Sequence, residues 1–193
     1  DEIGQLVSKD SVDEGLLVLW DMNETSGVTL ADTSGGNANW IEGHMEGGLQ
    51  LDGEYVSVSD LPDVTSTTWA AWVRLDAEAN YSTAIAATFE GAGAGHTFGF
   101  HGGDNVRKPR VLWNHANGHA SIMSPDPVEL GEWNHLAVTY DADSEAIVLY
   151  VNGEAKADGT VGTTPFSEVH LGQRASTMNY PFNGGLDHVA IYN

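Results

Sequence analysis

The amino-acid sequence predicts an all-β fold in which two antiparallel sheets pack face to face. Short runs of alternating apolar and polar residues recur along the chain, and this period of two is typical of half-buried strands. Turn-forming pairs such as Asp52-Gly53 and Asn152-Gly153 separate the runs. The sequence shows no long stretch with the apolar period of a helix. A chain of 193 residues with this pattern is expected to form a β-sandwich.

The strand-like runs can be placed one after another along the chain. The clearest pair is His135–Tyr140 and Ile147–Val151, in which every second side chain is apolar and faces one buried surface. Asn152-Gly153 then supplies the positive φ angles that a tight hairpin turn requires. The predicted strands are Leu16–Trp20, Gly48–Leu51, Tyr55–Val58, Trp69–Leu75, Ser82–Phe89, His96–Phe100, Arg110–Trp113, Ser121–Met123, His135–Tyr140, Ile147–Val151, Glu168–Leu171 and His188–Tyr192.

Large aromatic residues within these runs supply the apolar area that a sandwich core needs. They are Trp69, Trp72, Phe98, Phe100 and Trp133. We expect most of them to lie between the two sheets.

The charge of the chain is strongly acidic, with 28 Asp and Glu against 7 Lys and Arg and a formal net charge of −21. Such a surface repels nucleic-acid phosphates and anionic lipid headgroups, so neither nucleic acid nor membrane is expected as a partner. The segment 107–110 is the only basic cluster. An acidic surface suits cations such as Ca²⁺, or solubility in a saline setting.

The ends and composition of the chain suggest an excised module. The sequence contains no cysteine, which excludes disulfides and thiolate chemistry, and no apolar run of about 20 residues, which argues against membrane insertion. It opens without a secretory signal and stops directly after the last predicted strand. We expect one domain, residues 1–193 with a lead-in at 1–14, that sits beside other domains of the same parent chain.

Six phrases of the sequence, in this order, resemble the signature of laminin-G-like domains of the concanavalin A-like lectin/glucanase superfamily. They lie at 17–37, 49–56, 68–74, 131–140, 147–153 and 182–193. The resemblance spans Leu16 to Asn193 and is least clear between 80 and 127. It implies a jelly-roll sandwich whose first and last strands are adjacent.

The resemblance also implies a Ca²⁺ ion, because in this superfamily such an ion often ties the N-terminal loop to the final strand. Ca²⁺ takes about six to eight oxygen ligands, and a glycine-rich loop can aim several carbonyls inward. The matching residues are Asp32, Ser34, Asn37 and Asp187. The loop reads Ser-Gly-Gly-Asn where the family usually has Ser-Gly-Asn-Gly, which shifts the backbone ligands by one residue. Alternatively, Asp187 accepts hydrogen bonds from that loop and Asp32 forms an Asx turn.

A sugar site is expected in the stretch that the family pattern explains least. Sugar sites combine an aromatic platform with polar groups that bond the hydroxyls. The candidate residues are Asp104, Asn105, Arg110, Trp113 and His115, with Asn179 and Tyr180 as the opposing rim. Arg110 and Asp104 would hold vicinal hydroxyls, and Trp113 or Tyr180 would stack on the ring. Alternatively, Trp113 is buried and the polar residues are ordinary loop residues.

These features lead to the expectation of a non-catalytic, lectin-like carbohydrate-binding module, stabilised by Ca²⁺, of a secreted bacterial protein in the extracellular space or on the cell surface. Glycoside hydrolysis needs paired carboxylates, whereas the acidic residues here fall at turns. A glycoside hydrolase or polysaccharide lyase is therefore disfavoured, and no catalytic residue is assigned. The alternative is a structural spacer or a protein-binding adhesion module that binds no sugar.

Overall fold

A computed structural model describes residues 15–20, 22, 39–45, 47–53, 55–58, 61–62, 64–78, 83–90, 93–102, 107–116, 118–163, 165–173 and 181–193. Fourteen strands and no helix occur within these ranges. The strands are β1 Leu16–Trp20, β2 Asn39–Glu42, β3 Gly47–Asp52, β4 Val56–Val58, β5 Thr67–Leu75, β6 Thr83–Glu90, β7 Gly93–His101, β8 Lys108–His115, β9 Gly118–Met123, β10 Trp133–Asp141, β11 Ala146–Val151, β12 Glu154–Thr160, β13 Val169–Leu171 and β14 Asn183–Tyr192.

The strands form two antiparallel sheets. The larger sheet has the order β12-β11-β10-β5-β14-β3-β2, with β1 also paired to β14, and the smaller sheet has the order β4-β13-β6-β7-β8-β9. The first and last strands are neighbours, paired from Leu16 opposite Tyr192 to Trp20 opposite Val189 with one register shift between Leu16 and Val18. The two-sheet jelly-roll sandwich that the sequence predicts is therefore confirmed.

The core lies between the sheets and is organised by strand alternation. Every second residue of β5 is buried, and one of these residues, Trp69, meets Phe166 at 5.5 Å, Trp113 at 6.0 Å and Phe98 at 6.5 Å between ring centroids. Complete burial of one such side chain stabilises the fold by roughly 1.5–3 kcal/mol. Because alternation in β5 buries odd-numbered residues, even-numbered ones such as Trp72 face outward.

The predicted core aromatics divide into two groups. Trp69, Phe98 and Phe100 are at most 3% exposed and confirm the prediction. Trp72 and Trp133 are the two exceptions, since they are half-buried on the outer face of the larger sheet. Their position supplies the candidate site described below.

Two strands are absent from the sequence prediction, and both lie at the edges of the larger sheet. The edge strand β2 reads NWIE and the other, β12, reads EAKADGT, so neither shows an apolar alternation. Polar and charged residues at a sheet edge discourage pairing with other chains. The same polarity removes the signal by which such strands are found in a sequence.

The turn after β11 has the predicted backbone. Asn152 and Gly153 have φ angles of 52° and 78°, which both lie in the left-handed region. This is the geometry of a tight two-residue hairpin turn, which joins β11 to β12. No helix of the described residues is long and apolar enough to cross a membrane.

Candidate functional site

The structure tests only part of the predicted site. Seven predicted residues lie outside the described ranges, namely Asp32, Ser34, Asn37, Asp104, Asn105, Asn179 and Tyr180. The four that are described are Asp187, Arg110, Trp113 and His115.

Trp113 cannot be the exposed sugar platform, because its side chain is 0% exposed. It stacks on His96 with 4.0 Å between ring centroids, and its Nε1 donates to Thr163 Oγ1 at 3.1 Å. The expectation of a stacking role for Trp113 was therefore wrong, and its alternative, burial in the core, is confirmed. The physical reason is strand alternation: Arg110 and Trp113 are three residues apart on one strand and so lie on opposite faces of it.

Arg110 lies on the outer face of the smaller sheet, where its Nε donates to Ser121 Oγ at 3.0 Å. His115 is the last residue of β8 and lies on the opposite face by alternation. The described members of the predicted sugar site therefore do not converge on one surface.

Two further polar residues, Thr97 and His170, lie on the outer face that carries Arg110. Phe98 on β7 and Val169 and Leu171 on β13 belong to the core, so the residues next to them face outward. Thr97 and His170 both pair with Ala87 of β6, which lies between them. Thr97 Oγ1 and His170 Nδ1 are buried and have no hydrogen-bond partner among the described residues.

Asp187, the carboxylate of the closing strand, is 0% exposed and holds the turn between β2 and β3. Its Oδ2 accepts the N–H of His44 at 2.9 Å and of Met45 at 3.0 Å. Its Oδ1 lies 2.7 Å from His188 Nδ1. A Cβ on Gly43 would come within 2.8 Å of Asp187 Oδ2, so the turn approaches the carboxylate as closely as glycine allows.

With these contacts, Asp187 does not fit the role of a Ca²⁺ ligand that the resemblance implies. A Ca²⁺ ligand must turn its oxygens toward the cation, whereas both oxygens here face N–H groups, whose positive ends would oppose a cation. No cluster of three or more His, Asp or Glu suited to a metal occurs within the described ranges. Asp187 accepts hydrogen bonds, as the alternative expected, but they come from the 43–45 turn. Ca²⁺ binding by the loop at 32–37 stays a prediction.

The outer face of the larger sheet carries an open depression of about 660 Å³, which we call the aromatic depression. Trp72 and His135 face one another across β5 and β10, and Trp133 is two residues before His135 on the same face. The full lining is His44, Trp72, Trp133, His135, Asn152 and Gly153. Aromatic rings with a few convergent polar groups are typical of a ligand site, and the volume lies in the roughly 300–1,000 Å³ range of such sites.

His44 forms one wall of the aromatic depression. Its ring stacks on Trp72 with 3.5 Å between centroids and 20° between planes, while His135 meets the same indole edge-on at 5.2 Å. The wall depends on Asp187, because that carboxylate holds the backbone N–H of His44 itself. A buried charge on the last strand thus positions a side chain from a turn 143 residues earlier in the chain.

Trp133 lies beside His44, with 6.4 Å between the ring centroids, and rests on glycine. A Cβ on Gly185 would come 2.8 Å from the Trp133 ring, so the indole lies directly against the backbone of β14. The guanidinium carbon of Arg74 lies 5.3 Å from the centroid of Trp133, a cation–π distance. Arg74 Nε is also held by Asp76 Oδ1 at 2.8 Å, and this hydrogen bond raises the pKa of Arg74 and lowers that of Asp76.

The polar groups of the depression come from β10 and the turn after β11. Asn152 Oδ1 accepts the N–H of His135 at 2.8 Å, and Asn152 Nδ2 donates to Asn134 Oδ1 at 3.0 Å. Burial lowers the pKa of His135 and the neighbouring His44 lowers it further, so the His135 imidazole is neutral at neutral pH. The depression therefore offers uncharged donors and acceptors beside aromatic rings.

Comparison with known proteins gives a family for the chain. A family model described as the concanavalin A-like lectin/glucanases superfamily, of the laminin-G type, matches residues 49–193. No curated protein sequence gives a significant match.

Several solved structures share the fold at low sequence identity. Domain 4 of AbnA, a GH43 extracellular arabinanase from Geobacillus stearothermophilus in complex with arabinotriose, is 20% identical over 92% of each chain, with a TM-score of 0.70. The binding domain of Paraclostridial Mosquitocidal Protein 1 is 13% identical over 92% of this chain and 48% of its own, with a TM-score of 0.68. The Ruminococcus gnavus IT-sialidase CBM40 bound to α2,3-sialyllactose is 17% identical over 67% of this chain and 76% of its own, with a TM-score of 0.56. At these identities the likeness shows the fold alone.

Proposed function

Because the chain belongs to the concanavalin A-like lectin/glucanase superfamily, we propose that it is a non-catalytic carbohydrate-binding module. The observation that carries the proposal is the aromatic depression, in which Trp133, His44 and Trp72 form one aromatic surface beside neutral polar groups. The apolar C–H face of a sugar ring packs on an indole, and its hydroxyls bond to imidazole and amide groups at the rim. His135 and Asn152 supply those groups here.

The similar structures support this function without deciding the ligand. One is described with a bound neutral arabinotriose and another with a bound, anionic sialyllactose. Both are modules of proteins that act on glycans, as their descriptions state. We extend to this chain only the general property of binding a saccharide.

A catalytic role has weaker support. A glycosidase needs a general acid whose pKa is raised by burial, set opposite a second carboxylate. Near the aromatic depression the carboxylates Asp126, Glu129 and Glu132 are all exposed to solvent. The buried carboxylate, Asp187, is committed to its three N–H partners. We therefore propose binding without bond cleavage.

We further propose that the module acts outside the cell as part of a larger secreted bacterial protein. The arabinanase of the similar structure is described as extracellular, and its matching part is one domain of several. The acidic surface, with a net charge of −21, suits a soluble module that does not adhere to anionic membranes. Ca²⁺ bound by the loop at 32–37 remains a separate proposal.

The experiment is a binding screen on neutral and acidic polysaccharides, with reducing ends measured after long incubation. We expect retention on at least one polysaccharide and no new reducing ends. Trp133→Ala should weaken that binding roughly tenfold or more, equivalent to about 1.4 kcal/mol. Tyr150→Ala is the matched control, because Tyr150 is an aromatic residue on the same strand face outside the depression.

Three outcomes would count against this proposal. If Arg110→Ala abolished binding and Trp133→Ala did not, the site would lie on the outer face of the smaller sheet instead. If no glycan bound, the protein would be a spacer or a protein-binding module instead. New reducing ends would establish an enzyme.

A further inference from the structure

The aromatic depression continues into a second depression of about 420 Å³, which we call the acidic trough. The two depressions share Trp133 and Asn152 as lining residues, so they adjoin at these residues, and we call the two together the groove. Each part lies in the size range of a site for a small ligand, and the groove has room for more than one sugar ring. A chain of sugars therefore fits this surface better than a single sugar.

The charge of the trough is distributed unevenly. Three exposed carboxylates line it, those of Asp126, Glu129 and Glu132. Lys156 is the one cation among the described lining residues, and its Nζ lies 2.7 Å from Glu154 Oε2. Because Arg107 pairs with Glu129, the local excess of negative charge comes from Asp126 and Glu132, in the part of the groove next to Trp133.

The cations closest to the groove are already paired. Arg107 Nη1 lies 3.1 Å from Glu129 Oε2, and Arg74 is held by Asp76. The imidazole of His135 is neutral at neutral pH because burial lowers its pKa. A carboxylate on a bound sugar would therefore face the trough carboxylates without a free cation among the described residues to balance it.

We propose that this groove selects uncharged polysaccharide chains and rejects chains that carry uronic or sialic acid groups. The inference rests on the proposed function and names the class of ligand for the same site. Sugar hydroxyls can donate to the three carboxylates, which are acceptors only, whereas a sugar carboxylate has no proton to offer and is repelled. Trp133, at the junction, stacks on one ring while the next ring enters the trough.

The test compares arabinan, xylan, mannan and laminarin with polygalacturonate and alginate at about 20 mM and 150 mM salt. We expect the tightest neutral chain to bind at least about tenfold more tightly than either acidic chain in low salt. This difference in affinity should be smaller in 150 mM salt, because the electrostatic screening length falls to about 8 Å there. For a chain that binds, its trisaccharide should bind several-fold more tightly than its monosaccharide.

A double variant identifies the groups responsible. Asp126→Asn with Glu132→Gln should reduce the difference in affinity between neutral and acidic chains several-fold. Asp143→Asn with Asp158→Asn is the matched control, since it removes the same charge from exposed positions outside the groove and should leave that difference unchanged. That control separates the trough from the net charge of the whole protein.

The outcomes distinguish the two proposals. Acidic chains that bind as tightly as neutral ones, with binding lost in Trp133→Ala, would overturn the charge selection and leave carbohydrate binding intact. An equal effect of the two double variants would also overturn the role of the trough. Binding of no polysaccharide at all would overturn the proposed function, and this inference with it.

Discussion

Replacing Asp187 by alanine removes the group that holds the turn between β2 and β3. The carboxylate accepts two backbone N–H groups, those of His44 and Met45, and it contacts His188. Hydrogen bonds to a charged group contribute about 1.5–3 kcal/mol each. The turn is only part-buried, so its N–H groups regain water in the variant, and we expect a total loss of about 2–4 kcal/mol.

The assay is thermal unfolding followed by circular dichroism. In a domain of this size 1 kcal/mol shifts Tm by roughly 2–4 °C, so Asp187→Ala should unfold about 4–16 °C below the wild type. The near-ultraviolet signal of tryptophan should also change, because the His44 ring is no longer fixed on Trp72. Asp158→Ala, which removes an exposed carboxylate, is the control and should shift Tm by less than about 2 °C.

A chelator distinguishes the two possible roles of Asp187, which are hydrogen bonding to the turn between β2 and β3 and ligation of a metal ion. If Asp187 acts through the turn, its variant stays below the wild type by the same margin in excess EDTA. If Asp187 instead bound Ca²⁺, EDTA would lower the wild type to the level of the variant, since a ligand of the native state stabilises it by mass action. A Tm difference between wild type and Asp187→Ala that disappears in EDTA, or no Tm difference at all, would refute the reasoning.

Three further predictions concern the core, the turn and pH. Trp113→Ala should destabilise the fold by about 3–5 kcal/mol in urea unfolding, because it empties a fully buried site; a loss below about 1 kcal/mol would contradict its burial. Gly43→Ala should lower Tm even in EDTA, because its Cβ would clash with the carbonyl oxygen of Gly47. A Tm equal to that of the wild type would show that the turn lies elsewhere. The pKa of His135 is lowered in the fold, so its contribution to stability is complete above about pH 6.5 and is lost as the pH falls through the folded pKa. His135→Asn should flatten the dependence of Tm on pH below about pH 6.5. An unchanged slope would mean that other groups cause the pH dependence.

The strands that hold the core could be predicted from the sequence because burial on one face forces an apolar period of two. His135–Tyr140 and Ile147–Val151 show this pattern, and the structure buries the alternate residues of both runs. Strands β2 and β12 carry no such pattern, because edge strands need not be apolar. A strand could therefore be predicted from the sequence where its alternate side chains enter the core, and not where the strand lies at a polar edge.

The site was harder to predict because it depends on strand parity and on register. Arg110 and Trp113 are close in sequence, yet an odd separation puts them on opposite faces, and the same rule separates Trp69 from Trp72. That parity was a usable signal for an outward-facing Trp72. The contact of His44 with Trp72 joins a turn to a strand that is not its sheet neighbour, and only the three-dimensional structure brings them together.

The central claim, that sugar binds at the aromatic depression, is tested most directly by the indole N–H signals in an NMR titration. The chain has six tryptophans, each of which gives one resonance that can be assigned by single substitution. On titration with a polysaccharide fragment that binds, we predict shifts of the Trp133 and Trp72 signals and little change for the buried Trp69 and Trp113. Shifts that spare Trp133 and Trp72 while the fragment is bound would contradict the account.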